Sequence, residues 1–173
     1  MNRPAGVEEF RINSAGGSYT DVSGRLFVAD QAYSPGGFGY LGGKAFNTTH
    51  AIGGTNDDPL YQSYRGGVQS FEYRFDVSQA AAFDVTLHLM APQQQTGSFV
   101  MDVVAEGVVA LDDLDVNAEA GGLYRALIKT FTVNVSDGTL NLQFLKVDKA
   151  AIVSAIAVVE RAITLDGRRP PLL

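Results

Sequence analysis

From Phe71 the chain alternates by twos: Phe71, Tyr73, Phe75 and Val77 are apolar, and the residues between them, Glu72, Arg74 and Asp76, are charged. An extended strand sorts such a pattern onto two faces, because its successive Cβ atoms point to opposite sides. The pattern returns at Phe83, Val85, Leu87 and Leu89, with Asp84, Thr86 and His88 directed outward. FTVNVSDGTLNLQF predicts a hairpin turning at Asp137-Gly138, in which Val135 faces Leu140, Val133 faces Leu142 and Phe131 faces Phe144. MDVVAEGVVAL predicts a second hairpin, turning at Glu106-Gly107. Ile152 to Val159 reads as one continuously apolar strand, suited to the buried middle of a sheet. No segment carries the amphipathic period of a helix. Short strands separated by turn residues predict an all-β fold, an antiparallel β-sandwich.

A sandwich needs a core, and 46% hydrophobic against 18% charged residues supplies one; disordered chains show the opposite balance. The length of 173 residues fits one domain. Glycines crowd the start, 13 of 19 falling within residues 1–67, which predicts a loop-rich first third. Residues 1–9 read as an N-terminal flank, 10–160 as the sandwich domain, and 161–173, with Arg168-Arg169-Pro170-Pro171, as a C-terminal linker.

A net charge of -6 and a pI near 4.8, with no basic stripe, exclude nucleic acid as a partner. With no cysteine, disulfides, thiolate metal sites and cysteine nucleophiles are ruled out. No run of 18 apolar residues is present, so no membrane insertion is expected. The start MNRPAGVEEF lacks the apolar stretch of a signal peptide, and any export signal is expected outside this sequence. Asn47 and Asn134 begin Asn-x-Ser/Thr triplets, which matter only in a glycosylating pathway.

Gly37-Phe-Gly-Tyr-Leu-Gly42 spells the G-x-G-x-x-G of dinucleotide sites. That motif works only between a buried strand and a helix whose N-terminus holds the pyrophosphate. Here Tyr33-Ser-Pro-Gly36 precede it, and Gly43 with Asn47, Thr48 and Thr49 follow. Neither neighbour fits, and the stretch reads as a glycine-rich loop carrying Tyr33, Phe38 and Tyr40.

Asp113, Asp115 and Asn117 have the spacing of a calcium-binding EF-hand, but Ala118 stands in place of the required glycine and Tyr124 in place of the bidentate glutamate. No cofactor is expected; a structural calcium on the acidic stretch Asp112 to Glu119 is the one metal role left open. His50 and His88, the only histidines, read as surface residues, and no metalloprotease or serine-hydrolase motif occurs. Adjacent Asp57 and Asp58 do not flank a glycosidic bond from two sides. The chain is not expected to be an enzyme.

Several segments, in order, resemble malectin-like domains: Phe10-Arg-Ile-Asn-Ser-Ala-Gly-Gly17 with Asp21, Gly24, Asp30 and Tyr33; Asn56-Asp-Asp-Pro-Leu-Tyr-Gln-Ser63 with Arg65; Met101-Asp-Val103 up to Gly107; Asp115 with Ala120-Gly121; Val135-Ser-Asp-Gly-Thr-Leu140; and Ile152-Val-Ser-Ala-Ile156. The resemblance spans about residues 10 to 159. It implies a jelly-roll-like sandwich that holds a glucose-containing oligosaccharide or polysaccharide in a loop-lined cleft. It also implies a domain of a larger exported or cell-surface polypeptide, with flanking domains.

Sugars present C–H faces that pack on aromatic rings and hydroxyls that need oriented polar partners. By this resemblance the ligand-binding residues are the loop aromatics Tyr33, Phe38, Tyr40 and Tyr64 with the polar Gln93, Gln94 and Asp148. Asp148 takes the place of the family's late acidic residue, and Tyr40 or Phe46 that of its loop aromatic. Gly66 stands where the family's lectin carries a sugar-stacking tyrosine, and Gln93-Gln94 replace an aromatic pair. These departures leave a second reading, a structural or adhesive spacer with a degenerate sugar site.

Overall fold

In the computed structural model, residues 7–92 and 99–162 are described. The glycine-rich first third is more than loop: it holds β1 (Glu9–Asn13), β2 (Tyr19–Thr20), β3 (Leu26–Ala29), β4 (Phe38–Leu41) and β5 (Lys44–Asn47). A one-turn helix, α1 (Asp58–Gln62), leads into β6 (Ser63–Gly67), β7 (Phe71–Asp76) and β8 (Ala81–Leu89). Next come β9 (Val100–Ala105), β10 (Val108–Asp115), the one-turn helix α2 (Val116–Ala120), β11 (Leu127–Val135) and β12 (Thr139–Asp148). β13 (Ala151–Val153) and β14 (Ala155–Glu160) close the order. The expected flank and linker lie mostly in residues 1–6 and 163–173, outside the described residues.

Two sheets make the sandwich: β11-β8-β14-β1-β3-β2 and β10-β9-β12-β7-β4. Every pairing in them is antiparallel except β1 with β3. Phe71, Tyr73 and Phe75 of β7 meet Phe83, Val85, Leu87 and Leu89 of β8 in one buried core, so both alternating strands do what their period predicts. Between Tyr33-Ser-Pro-Gly36 and Gly42, the G-x-G-x-x-G stretch forms edge strand β4 paired to β7, with no helix behind it.

The hairpin expected at Asp137-Gly138 does not form. β11 pairs with β8 from Leu127↔Leu89 to Val135↔Ala81, while β12 lies in the other sheet between β7 and β9. The chain crosses the sandwich there, and Val133 and Val135 share the core with Leu140, Leu142 and Phe144 from opposite sheets. Alternation reports that a strand has a buried face, and strands stacked across a core satisfy it as well as neighbours in a ladder. Gly138 has φ 84° but Asp137 is not left-handed, so the two-residue turn is not made. At Glu106-Gly107 both residues are left-handed, φ 51° and 76°, and β9 and β10 do form the expected hairpin.

The single strand expected from Ile152 to Val159 is two. Ser154 divides β13, which pairs with β6, from β14, which runs between β1 and β8 in the middle of the larger sheet. β13-β6-β5 is a separate three-stranded sheet at the sandwich rim.

His88, expected at the surface, is 7% exposed. It does point to the outer face of β8, but α1 folds over that face. Leu60 and Tyr61 of α1 form a second small core with Phe27, Ile52 and Met90. The Tyr61 hydroxyl lies 2.9 Å from His88 Nδ1, and the Phe27 ring meets the imidazole edge-on. Burial in this apolar shell pushes the imidazole down to about 4, with Arg25 adding to the effect and Asp21 and Asp57 opposing it.

Candidate functional site

The rim sheet is built around a buried arginine. Arg65 in β6 places its guanidinium 3.5 Å over the Tyr40 ring, donates from Nε to Asp30 Oδ2 at 3.1 Å, and donates from Nη1 to the Gly42 carbonyl at 3.3 Å. Asp30 Oδ2 also accepts from the Ala15 amide at 2.6 Å and from the Tyr73 hydroxyl at 3.0 Å. Arg65 and Asp30 are both nearly shut off from water, 7% and 5% exposed in their side chains. Burial first, and then the Asp30 charge, push the Tyr73 phenol far up, so it stays a donor.

This network sets the turn between β4 and β5. Gly43 in that turn is left-handed, φ 73°, and a Cβ there would lie 2.9 Å from Arg65 Cγ and 3.2 Å from Phe71 Cγ. Only glycine lets the turn press this closely on the arginine.

The turn is one wall of a recess of about 530 Å³. Phe46 of β5 and Tyr64 of β6 line it as an offset-stacked pair, ring centroids 5.5 Å apart and 14° from parallel. Phe46 is 43% exposed, a large ring left open to solvent. Burial raises the Tyr64 phenol, which therefore remains neutral. Gly66 opens the wall, since a Cβ there would lie 3.1 Å from Ile152 Cγ2 and 3.7 Å from the Phe46 ring. Lys44, Lys149 and Phe99 complete the surfaces that matter for chemistry.

Of the residues expected to bind ligand, Tyr64 lines the recess. Asp148 sits at the exposed end of β12, where its Oδ1 accepts from the amide of its neighbour Lys149 at 3.0 Å. Phe38 instead packs on Phe10 and Phe75 at the core margin, at centroid distances of 5.6 and 6.3 Å. The Tyr40 ring lies under Arg65 and meets Tyr73 edge-on. Tyr33 donates its hydroxyl to both Asp76 oxygens, at 3.0 and 2.8 Å. Hydrogen bonds from Tyr33, Thr139 and Gly36 outweigh the burial penalty on Asp76 and hold its carboxyl below the usual range. Gln93 and Gln94 lie outside the described residues. Lys44, Phe99 and Lys149 were missed, because only the pairing of β5, β6 and β13 brings them together.

In the acidic stretch, Asp115 caps α2 by accepting from the Ala118 amide at 2.9 Å. Carboxylate oxygens of Asp102, Asp112 and Asp113 come within 4.8 Å of one another on the surface, and Asp102 accepts from the Asp113 amide.

The chain is thus a two-sheet β-sandwich with a recessed, aromatic-lined rim. The sequence profile of the malectin domain matches residues 9–163, and the chain belongs to that family. Malectin-like domains bind carbohydrates and sit in larger polypeptides. Among solved structures, Bacteroides uniformis β-glucuronidase superposes with a TM-score of 0.80 at 22% identity, over 95% of this chain and 18% of that one. The extracellular domain of ANXUR2 from Arabidopsis thaliana gives 0.76 at 16% identity, over 95% of this chain and 52% of that one. The plant receptor-like kinase FER gives 0.70 at 24% identity, over 87% and 41%. These likenesses show the fold, and this chain spans between under a fifth and about half of those proteins. No curated protein matches the sequence.

Proposed function

We propose that this domain is a non-catalytic carbohydrate-binding module that takes a glucan-like oligosaccharide into the rim recess. The observation that carries this reading is the Phe46–Tyr64 pair, whose rings line a cavity large enough for a sugar unit or two. A pyranose lays its C–H face on such rings while its hydroxyls reach polar groups at the edge. Tyr64 keeps its assigned place in the contact, and Asp148, next in sequence to the wall residue Lys149, remains a proposed polar partner on the strength of the family resemblance. Gln93 and Gln94 remain proposed polar partners on the strength of the family resemblance. Phe46 takes over the loop-aromatic role, since the rings of Tyr33, Phe38 and Tyr40 are engaged elsewhere. The domain belongs, in this reading, to a longer extracellular or cell-surface polypeptide.

Titration calorimetry with glucose-based oligosaccharides tests the proposal. Binding that weakens about three- to tenfold in Phe46→Ala, the loss of one good aromatic contact, supports it. No binding across glucans, galactans and mannans overturns it. It would favour the spacer reading, for which the bare wall at Gly66 speaks.

A further inference from the structure

Beyond the recess the rim carries a second pair of rings. His50, exposed, lies face to face on Tyr124, with ring centroids 3.7 Å apart and planes 7° from parallel. Neither residue lines the recess. Yet Tyr64, which stacks on Phe46 inside it, packs together with Tyr124 on the small core of Phe27, Ile52, Leu60, Tyr61 and Met90. The Tyr64 phenol is raised by burial first and then by the neighbouring phenol of Tyr124. Tyr64 therefore stands between two ring stacks, one in the recess and one outside it.

Holding the loop in place does not require the second stack. The chain between β5 and α1 is fastened by the Thr48 amide on the Gln62 carbonyl at 2.8 Å, the Gln62 side chain on the His50 carbonyl at 3.0 Å, the Ile52 amide on Asp58 at 2.9 Å and the Gly53 amide on the Tyr124 carbonyl at 2.8 Å. What the rings add is surface. Tyr124 has φ 52°, a left-handed conformation that is an outlier for a bulky residue, and glycine would meet the same turn at lower cost. Strain kept at an aromatic position beside a cleft points to a use for the ring. Tyr124 covers one face of the imidazole, and the exposed residue turns its other face to solvent. His50 Nδ1 lies 2.8 Å from the Ala51 carbonyl, which can only accept, so the proton sits on Nδ1 and Nε2 of the neutral ring is an acceptor. An open ring face with an acceptor at its edge offers a pyranose both a stacking surface and a partner for a hydroxyl.

We infer that the saccharide site continues from the recess past Tyr64 onto the His50–Tyr124 stack, where the imidazole face takes a further sugar unit. The ligand is then a chain longer than the unit or two that the recess holds. The inference rests on the carbohydrate reading above and adds a second stacking position to it.

Ladders from disaccharide to hexasaccharide in the malto, cello and laminari series, each titrated into the whole chain, test it. In a series that binds, affinity should climb about three- to tenfold beyond the disaccharide, the worth of one added aromatic contact. His50→Ala should bind the disaccharide as the parent does and lose that climb, whereas His50→Phe, which restores a ring, should keep it. His50 is exposed, so both variants should unfold within about a degree of the parent. The chain has two histidines and His88 is buried, so the imidazole proton resonances of His50 can be followed directly by NMR. They should move with the long members of a series and stay in place with the disaccharide. Affinity that is flat from the disaccharide upward, or that climbs equally in His50→Ala, overturns the inference and leaves the carbohydrate reading standing. Silence across all three series overturns the two together.

Discussion

Arg65 ties the rim together, touching Asp30, the Gly42 carbonyl and the Tyr40 ring at once. Replacing it by methionine keeps the apolar stem but strands Asp30, 5% exposed, without its counter-charge. Breaking one side of a buried pair costs about 3–5 kcal/mol, and chemical denaturation of Arg65→Met should show a loss of that size. Arg65→Lys should recover only part of it, because an ammonium cannot reproduce the planar fork or the flat stacking on Tyr40.

His88 makes stability depend on pH. The unfolded imidazole takes its proton near the ordinary value of 6.5 and the folded one only near 4. The unfolded state therefore binds more protons in between, so stability is complete above about 6.5 and falls as pH drops toward 4. The whole displacement corresponds to about 3 kcal/mol. Asp21 and Asp76, both held below the usual carboxylate range, release their contributions at lower pH still. Urea midpoints measured from pH 7 to pH 4 should fall steeply in the parent protein and distinctly less in His88→Gln.

Among elements, α1 shows why a surface pattern misleads. Five residues cannot hold a helix by themselves, so α1 exists because Leu60 and Tyr61 are buried against β8 and Phe27. Leu60→Ala should cost about 2–5 kcal/mol, as large-to-small changes in a core do. Val22→Ala, at a position 68% exposed, should cost next to nothing in the same thermal unfolding series. A one-turn element of this kind leaves no periodic trace, which is why His88 looked solvent-facing from its strand alone. Strand existence was legible at β7, β8 and the β9–β10 turn, where local chemistry decides the outcome. Which strands neighbour each other was not legible at β11 and β12, because an inward apolar face is common to partners within a sheet and across it. The recess was legible only through Tyr64, Phe46 and Gly66; the lysines that share it come from segments more than a hundred residues apart.

At the scale of the whole molecule, the recess belongs to the three-stranded sheet, while the main core lies between the two larger ones. Ring truncation at the recess should thus leave the unliganded fold nearly intact, because Phe46 is 43% exposed and outside both buried clusters. A ligand that binds only the folded chain adds stability by mass action, about 1.4 kcal/mol at ten times its dissociation constant. For a domain of this size that corresponds to a rise of roughly 4 °C in the unfolding midpoint. Scanning calorimetry should therefore find that a saturating oligosaccharide raises the parent midpoint by that amount. Phe46→Ala should unfold within about a degree of the parent when unliganded, an exposed truncation being nearly neutral, and should lose most of the ligand-dependent rise. A ligand-dependent rise that survives in Phe46→Ala would place the binding surface elsewhere on the sandwich. A large fall in the unliganded midpoint would show that the rim sheet unfolds together with the main core.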